Sequence, residues 1–319
     1  DGNIIRAIKS WFTIKTLIRR NTKFYKTITS FRYNHRKGYI ALPRFGMFMK
    51  LSNLLNLKEL QFANPIIDNQ ILSSGNSIYA ESGDYDNWNA TLSENQQIVH
   101  DWIMKNIYKS SWVKQGKAGC TIKMATGTGK TYMGAAFIHR LQAPTLIICH
   151  DTGDAKQWTK TLATIFPDLV IGEYNGRLKE DGDVIVAVIN SMDSKEFIYR
   201  IRAGHPKYSP DNSLITVSSQ DFFARFTLII WDESHTYCSD MGTRIFMKAQ
   251  APYMLGLSAT PNSRPDKFDP VAHWNIGPVI DSHDIPGYQK DEVKYKCKVN
   301  IIQYEGPPER SEERRVGKE

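Results

Sequence analysis

The chain has 319 residues, 41% of them hydrophobic and 23% charged, a composition typical of globular proteins that leaves room for one large or two ordinary domains. No apolar run approaches the ~20 residues needed to cross a bilayer, and no secretory signal opens the sequence, so we expect neither a membrane-spanning nor a secreted protein. The four cysteines lack C-x-x-C spacing, which favours unpaired core thiols in a reducing compartment over a disulfide or metal site.

Basic residues are concentrated at the N-terminal end. Residues 1–58 hold 13 of the 41 Lys and Arg but only one of the 33 acidic residues, which predicts a polyanionic partner for this part. Aromatic and cationic side chains are interleaved from Phe31 to Phe45, a mixture suited to nucleic-acid bases and phosphates. The alternative is a small basic domain whose aromatics fill its own core and whose cations are merely solvated.

Local patterns predict few regular elements before residue 90. The aliphatic and basic residues of 1–30 are compatible with either helix or strand. Residues 31–51 predict a strand, a turn at Lys37–Gly38 and a second strand, with an edge or break at Pro43. The Leu-rich and then polar stretch that continues to residue 90 is interpreted as an inter-domain linker.

From residue 91 onwards, short apolar runs alternate with helical patterns. A helix-start signal follows Thr91, and a strand–loop–helix unit is predicted at 118–140. The other predicted elements are a helix at 155–165 and strands at 144–150, 168–174, 183–189, 226–233 and 255–261. This alternation predicts an α/β fold, a doubly wound and mostly parallel sheet.

A glycine-rich sequence, MATGTGKT, occupies residues 124–131 between an apolar run and a helix. Its pattern is typical of a phosphate-binding loop, whose glycines turn backbone N–H groups towards a polyphosphate. Lys130 would reach the β- and γ-phosphates, Thr131 would ligate Mg²⁺, and the helix dipole would favour the same anion. Met124 replaces the first glycine of the general pattern, and a glycine-rich turn without a ligand is the alternative. The predicted nucleotide ligands are Thr126, Gly127, Thr128, Gly129, Lys130 and Thr131.

Two adjacent carboxylates end an apolar run in LIIWDESH, residues 228–235. Open α/β sheets bind ligands at the carboxyl edge, so Asp232 and Glu233 are expected to face the phosphate loop. Asp232 would hold Mg²⁺, while Glu233 would position and deprotonate the attacking water. The alternative is an acidic strand end that caps the next helix.

The order MATGTGKT, WDESH and LSATP resembles the first motor domain of superfamily 2 helicases and translocases. The resemblance is closer to the DNA repair and recombination branch that includes XPB-type and phage UvsW-type proteins. It covers about residues 91–283 and implies a RecA-like P-loop domain. It also implies that His235 of the DExH box links the ATP site to Ser258, Ala259 and Thr260, the SAT motif that relays the nucleotide state to nucleic acid.

The same resemblance suggests an adenine ligand. LSENQ, residues 92–96, is similar to the glutamine motif of these helicases, with Asn95 in place of the aromatic residue. It implies that Gln96, rather than Gln97, recognises adenine.

Two further segments resemble motifs that contact the nucleic-acid strand. Residues 145–158 imply a phosphate contact by Thr152, although His150 replaces the usual proline. AVINS, residues 187–191, has Val188 in place of the usual threonine, which leaves Ser191 as the implied contact.

The resemblance also sets the expected domain organisation. We expect a small basic α+β N-terminal domain with its linker over residues 1–90, resembling those that precede such motors, and the RecA-like domain over 91–283. Residues 284–319 would lead towards a second RecA-like domain and end in a non-native tail at about 310–319. Such a domain carries the arginine finger, which can be worth 10³–10⁵ in rate, so we expect a truncated motor with poor turnover.

The expected function is that of an ATP-dependent DNA helicase or translocase. The chain would bind ATP, Mg²⁺ and single-stranded or branched DNA, while its parent couples hydrolysis to unwinding, translocation or annealing. Three alternatives stay open: the motor subunit of a restriction enzyme, an RNA helicase, and a nucleic-acid-binding module with a vestigial ATPase. We expect a cytoplasmic protein, encoded by a cell or by a phage or virus acting inside its host.

Overall fold

The computed structural model describes residues 2–19, 24–34, 36, 39–51, 85–200 and 214–289. Residues 1–288 form one unit, to which all the elements below belong, and residues 289–319 form a second. The predicted linker, the segment towards a second domain and the predicted tail lie largely or wholly outside the described residues.

The N-terminal part contains two short antiparallel strand pairs and two helices. Its elements are α1 (Gly2–Trp11), β1 (Thr13–Arg19), β2 (Phe24–Thr29), β3 (Arg32–Asn34), β4 (Tyr39–Ala41) and α2 (Arg44–Leu51). Strand β1 pairs with β2, and β3 pairs with β4. The strand–turn–strand prediction is therefore confirmed for β3 and β4. The prediction is wrong after Pro43, where α2 begins at Arg44; the fixed φ of proline is compatible with a position just before a first helical turn.

These N-terminal elements pack directly against the larger part of the unit. Phe12 and Phe45 are buried in a hydrophobic cluster that also contains Trp274. The rings of Phe12 and Trp274 meet edge to face, with centroids 5.3 Å apart. Arg44 Nη1 donates a hydrogen bond of 2.6 Å to the Ala251 carbonyl. Aromatic residues of the basic segment thus complete a core that is shared with the rest of the chain.

Seven parallel strands form the main sheet, in the order β13–β5–β12–β11–β6–β8–β7. The strands are β5 (Gly119–Lys123), β6 (Thr145–Cys149), β7 (Ile171–Tyr174), β8 (Val184–Val188), β11 (Leu228–Asp232), β12 (Tyr253–Ser258) and β13 (Val279–Asp281). An antiparallel pair, β9 (Glu196–Arg200) and β10 (Leu214–Ser218), lies outside this sheet. The predicted parallel α/β sheet is confirmed; β9, β10 and β13 were not predicted from the sequence.

Seven helices accompany this sheet in the described part of the chain. They are α3 (Glu94–Asn106), α4 (Ser110–Lys114), α5 (Lys130–Leu141), α6 (Thr152–Ile165), α7 (Ser219–Ala224), α8 (Asp240–Lys248) and α9 (Pro270–Ile276). The helix-start signal is confirmed, because Ser93 and Gln96 form a reciprocal capping box at the start of α3.

Alternate residues of the central strands belong to two hydrophobic clusters. In β11, for example, Leu228 and Ile230 belong to one cluster, and Ile229 and Trp231 to the other. Strands buried on both faces need continuous apolar runs, which explains why these segments are uniformly hydrophobic. In β5 and β11 the charged residues, Lys123 and Asp232, are the last of the strand, at the edge where the candidate site lies.

Two further findings concern the described residues only. Cys120, Cys149 and Cys238 are buried free cysteines, as the sequence predicted, while Cys297 lies outside the described part. None of the described helices is long and apolar enough to span a membrane.

Candidate functional site

The glycine-rich loop joins the end of β5 to the first turn of α5. Gly127 and Gly129 have φ values of +81° and +79°, in the left-handed region that glycine adopts without steric cost. Lys130 is the first residue of α5, and its Nζ forms an ion pair with the Glu233 carboxylate. The loop therefore presents a partly buried cation to a carboxylate at the end of another strand.

The two predicted carboxylates lie at the carboxyl end of β11. Asp232 is the last residue of the strand, and Glu233 follows with a φ of +44°, a left-handed conformation that is costly for a side chain other than glycine. Trp158 Nε1 donates a hydrogen bond of 2.7 Å to Asp232 Oδ2. Burial raises the pKa of Asp232, the Trp158 hydrogen bond opposes that rise, and the nearby charge of Glu233 adds to it.

These donors fit a divalent cation bound with a nucleotide. A buried carboxylate beside a second carboxylate is stabilised by a cation, and carboxylate and hydroxyl oxygens are the ligands that Mg²⁺ prefers. Asp232 and Thr131, on the first turn of α5, are the side chains that would hold Mg²⁺. Lys130 and the loop N–H groups would hold the phosphates.

His235 connects this edge to the end of β12. Its Nδ1 lies 2.8 Å from Ser258 Oγ and 3.5 Å from Glu233 Oε2. The Ser258 hydroxyl also accepts a hydrogen bond of 3.1 Å from the Thr260 backbone N–H. Burial lowers the pKa of His235, although the Glu233 charge acts in the opposite direction. His235 and the backbone of Thr260 are thus both in polar contact with the Ser258 hydroxyl.

Gln96 reaches the loop from the first turn of α3. Its Nε2 donates a hydrogen bond of 2.9 Å to the Thr128 carbonyl, while its Oε1 accepts one of 2.8 Å from the Ser93 N–H. Gln97 instead donates to Asp101 on its own helix, at 2.9 Å. The structure therefore brings Gln96, and not Gln97, to the glycine-rich loop.

The two predicted nucleic-acid contacts lie at the same sheet edge but away from the loop. Thr152 is an exposed residue at the start of α6, which follows β6. Ser191 lies in a 3₁₀ turn after β8 and lines an open cavity of about 630 Å³, together with Lys179 and Lys195. Strands β6 and β8 are neighbours, so both residues border one stretch of the edge.

Two side chains at the site were not identified from the sequence. Trp158 is the last residue of the segment 145–158, and its bond to Asp232 has no sequence signal beyond a buried helix position. Arg264 donates a hydrogen bond of 2.9 Å to the His235 carbonyl and forms an ion pair of 2.5 Å with Asp266. The Arg-x-Asp spacing could have indicated that ion pair, but not its contact with His235.

The chain matches the protein-family model described as "Type III restriction enzyme, res subunit" over residues 89–263, which is more than half of its length. A protein of African swine fever virus (isolate Tick/South Africa/Pretoriuskop Pr4/1996), named as an ATP-dependent RNA helicase, is 28% identical over 199 residues, covering 59% of this chain and 32% of that protein. The DNA 3'-5' helicase XPB of Kineococcus radiotolerans is 31% identical over 147 residues, covering 46% of this chain and 23% of that protein.

Among solved structures, the UvsW helicase from bacteriophage T4 is similar over 88% of this chain and 94% of that chain, with a TM-score of 0.48 and 14% identity. The chain spans about a third of the length of the African swine fever virus relative and about a quarter of the XPB relative.

Proposed function

Because the chain belongs to the family of the type III restriction enzyme, res subunit, and carries the RecA-like domain of a superfamily 2 helicase, we propose that it binds ATP with Mg²⁺ and couples ATP hydrolysis to action on DNA. The observation that carries this proposal is the ion pair between Lys130 and Glu233, which joins the loop after β5 to the carboxylates after β11. Phosphoryl transfer depends mainly on such positioning and charge balance.

The proposed chemistry assigns a separate task to each side chain. Lys130 neutralises charge on the transferred phosphate, while Asp232 and Thr131 hold Mg²⁺, which supplies further charge neutralisation. Glu233 orients the attacking water and accepts its proton. Binding of a triphosphate would compete with Glu233 for the Lys130 ammonium, which would release the carboxylate for this task.

We assign the coupling role to the contact between His235 and Ser258. The Ser258 hydroxyl also bonds the Thr260 N–H, so a shift of the carboxylates after β11 would move the segment after β12. Thr152 and Ser191 are the proposed strand contacts on the neighbouring part of the edge.

The basic N-terminal part, residues 1–90, is proposed as an accessory nucleic-acid-binding region beside the ATP-binding domain, residues 91–283. Lys15 and Arg32 are exposed cations, and Lys15 Nζ lies 4.5 Å from the ring centroid of Tyr25, whose side chain is 47% exposed. Exposed cations suit phosphates, and this exposed ring suits a base. Phe12 and Phe45 take no part in this surface, because they are buried.

The test is an ATPase assay with no nucleic acid, with single-stranded DNA, with forked DNA and with RNA of equal length, beside a direct titration with ADP. We expect Mg²⁺-dependent ADP binding, slow ATP hydrolysis that DNA stimulates more than RNA, and loss of this hydrolysis but not of binding in Glu233→Gln. We expect rapid turnover only from a motor that includes a second RecA-like domain. Nucleotide binding is therefore the primary measurement for this chain. No ADP binding, or binding unaffected by Lys130→Ala, would refute the nucleotide site.

Two other functions have specific support. The name of the African swine fever virus relative favours an RNA helicase, and stronger stimulation by RNA than by DNA would select it. The family description favours a restriction motor, and association of the chain with a nuclease activity would select that function. Nucleic-acid binding without any nucleotide binding would leave a module with a vestigial ATPase.

A further inference from the structure

An exposed aromatic side chain lies beside the glycine-rich loop and has no role in the proposed chemistry. Tyr132 directly follows Thr131 in the first turn of α5, and its side chain is 41% exposed. Lone exposed aromatics are common and need no explanation by themselves. Tyr132 differs from such residues because it lies close to Gln96, the candidate adenine ligand.

Gln96 and Tyr132 flank the same glycine. A Cβ placed on Gly129 would collide with Gln96 Nε2, and it would lie 3.9 Å from Tyr132 Cβ. The amide of Gln96 and the Cβ of Tyr132 therefore border one side of the loop, with no side chain from Gly129 between them. A planar group that leaves the loop on this side would be within reach of the Gln96 amide and of the exposed Tyr132 ring.

This side of the loop is opposite to the carboxylates. Asp232 ends β11 and Glu233 follows it, and β11 lies two strands from β5 across β12. Gln96 lies on α3, whose Ile98 approaches Gly287 just after β13, the neighbour of β5 on its other side. A nucleotide whose terminal phosphate faces Glu233 must therefore extend its base towards Gln96 and Tyr132.

The first turn of α3 offers no alternative stacking partner. Its residues are Glu94, Asn95, Gln96 and Gln97, none of which is aromatic. A purine base needs a flat apolar surface for its face and hydrogen-bonding groups for its edge. Tyr132 can supply the first of these and the Gln96 amide the second.

We infer that Tyr132 forms the stacking surface for the adenine base of the bound nucleotide. This inference rests on the proposed nucleotide site and adds a determinant of affinity to it. Stacking of a base on an aromatic side chain is sequence-tolerant, so Tyr132 would strengthen binding of any purine nucleotide, and Gln96 would select adenine. The residue acts on binding and leaves the phosphoryl-transfer chemistry to Lys130 and Glu233.

The test compares a ligand with a base and a ligand without one. ADP and inorganic tripolyphosphate are titrated calorimetrically, in Mg²⁺, into the wild type, Tyr132→Ala and Tyr132→Phe. We expect Tyr132→Ala to weaken ADP binding by about 5- to 150-fold, the range typical of base–aromatic stacking. Tripolyphosphate binding should stay within about twofold, and Tyr132→Phe should bind ADP like the wild type. Leu214→Ala, which removes an exposed apolar side chain from β10, is the control and should change the binding of neither ligand.

Each other outcome has a defined meaning. Unchanged ADP binding in Tyr132→Ala overturns the inference, as does an equal loss for ADP and tripolyphosphate, which would indicate a disturbed loop. If wild-type protein binds neither ligand, the proposed nucleotide site fails as well. If it binds ADP and only the tyrosine comparison fails, the proposed function stands without this inference.

Discussion

The indole N–H of Trp158 donates a hydrogen bond of 2.7 Å to the carboxylate of Asp232. The ring belongs to α6 and is only 1% exposed, so it holds the carboxylate at the end of β11 in one orientation. Hydrogen bonds to an ionised carboxylate favour the charged form, which opposes the effect of burial on the pKa of Asp232. Trp158, which lies outside the nucleotide-binding motifs, therefore fixes the orientation of Asp232, a candidate Mg²⁺ ligand.

Replacement of Trp158 by phenylalanine should weaken Mg²⁺-dependent nucleotide binding. Trp158→Phe keeps an aromatic ring in the core but removes the hydrogen-bond donor, which leaves the partly buried Asp232 carboxylate without that bond. We expect the free energy of unfolding to fall by about 1–3 kcal/mol, and the enhancement of ADP affinity by Mg²⁺ to shrink. Urea denaturation and ADP titrations with Mg²⁺ or EDTA measure both effects. Trp88→Phe, in a cluster with His139 and Phe166, should retain the full Mg²⁺ enhancement.

Gly134 lets α5 approach that same tryptophan. A Cβ on Gly134 would lie 2.6 Å from Trp158 Cη2, closer than real side chains allow. Alanine normally stabilises a helix interior by about 1 kcal/mol relative to glycine, but here the clash should dominate, because overpacking costs about 1–3 kcal/mol. We expect Gly134→Ala to lower the free energy of unfolding, as measured by urea denaturation.

A double-mutant cycle identifies the cause of that loss. Phenylalanine at position 158 lacks the outer ring that contains Cη2, so Gly134→Ala should cost less in a Trp158→Phe background than in the wild type. A coupling free energy of about 1 kcal/mol or more would support the contact. Equal costs in both backgrounds would show that the clash with Trp158 is not the reason.

Most of the fold could be predicted from the sequence, because the central strands are buried on both faces and the helices carry clear periodicity and caps. The sequence places Lys130 and Asp232 at one edge of the sheet, because each stands at or just after the end of a predicted strand. Parallel strands present their carboxyl ends at the same edge. Trp158 could not be assigned to Asp232, because that contact depends on how α6 lies against β11. The short edge strand β13 was also missed, since its three residues carry too little pattern.

Removal of the Ser258 hydroxyl should separate ATP hydrolysis from strand binding. Ser258→Ala eliminates the contact with His235 and the bond from the Thr260 N–H, while it leaves Lys130 and Glu233 in place. We expect ADP affinity to stay within about threefold of the wild type and nucleic-acid stimulation of hydrolysis to be lost. Ser263→Ala is the matched control, because Ser263 is exposed and bonds only the Thr260 carbonyl among the hydrogen bonds described for its hydroxyl. Undiminished stimulation in Ser258→Ala would refute the coupling role.

Buried histidines should make the protein less stable in mildly acidic solution. His100, on α3, is 7% exposed and packs against Phe137, with ring centroids 4.9 Å apart. Burial lowers the pKa of His100 below the ordinary value of 6.5. The Asp101 carboxylate, 3.0 Å from His100 Nδ1, opposes this lowering, whereas the charge of Arg140 adds to it. The unfolded chain therefore takes up a proton near pH 6.5 before the folded chain does, so the free energy of unfolding falls as the pH falls through 6.5 towards the folded-state pKa.

His100→Asn removes this titration while keeping a polar side chain that can bond Asp101. Urea denaturation at pH 7.5, 6.5 and 5.5 should therefore show a shallower loss of stability in the variant than in the wild type. The difference in slope is bounded at about 1.4 kcal/mol per pH unit, the limit for one proton. Some slope should persist, because burial also lowers the pKa values of His235 and His273. If the free energy of unfolding falls equally with pH in both proteins, His100 has the same pKa in the folded and unfolded chains. Its burial in α3 would then not cause the acid sensitivity.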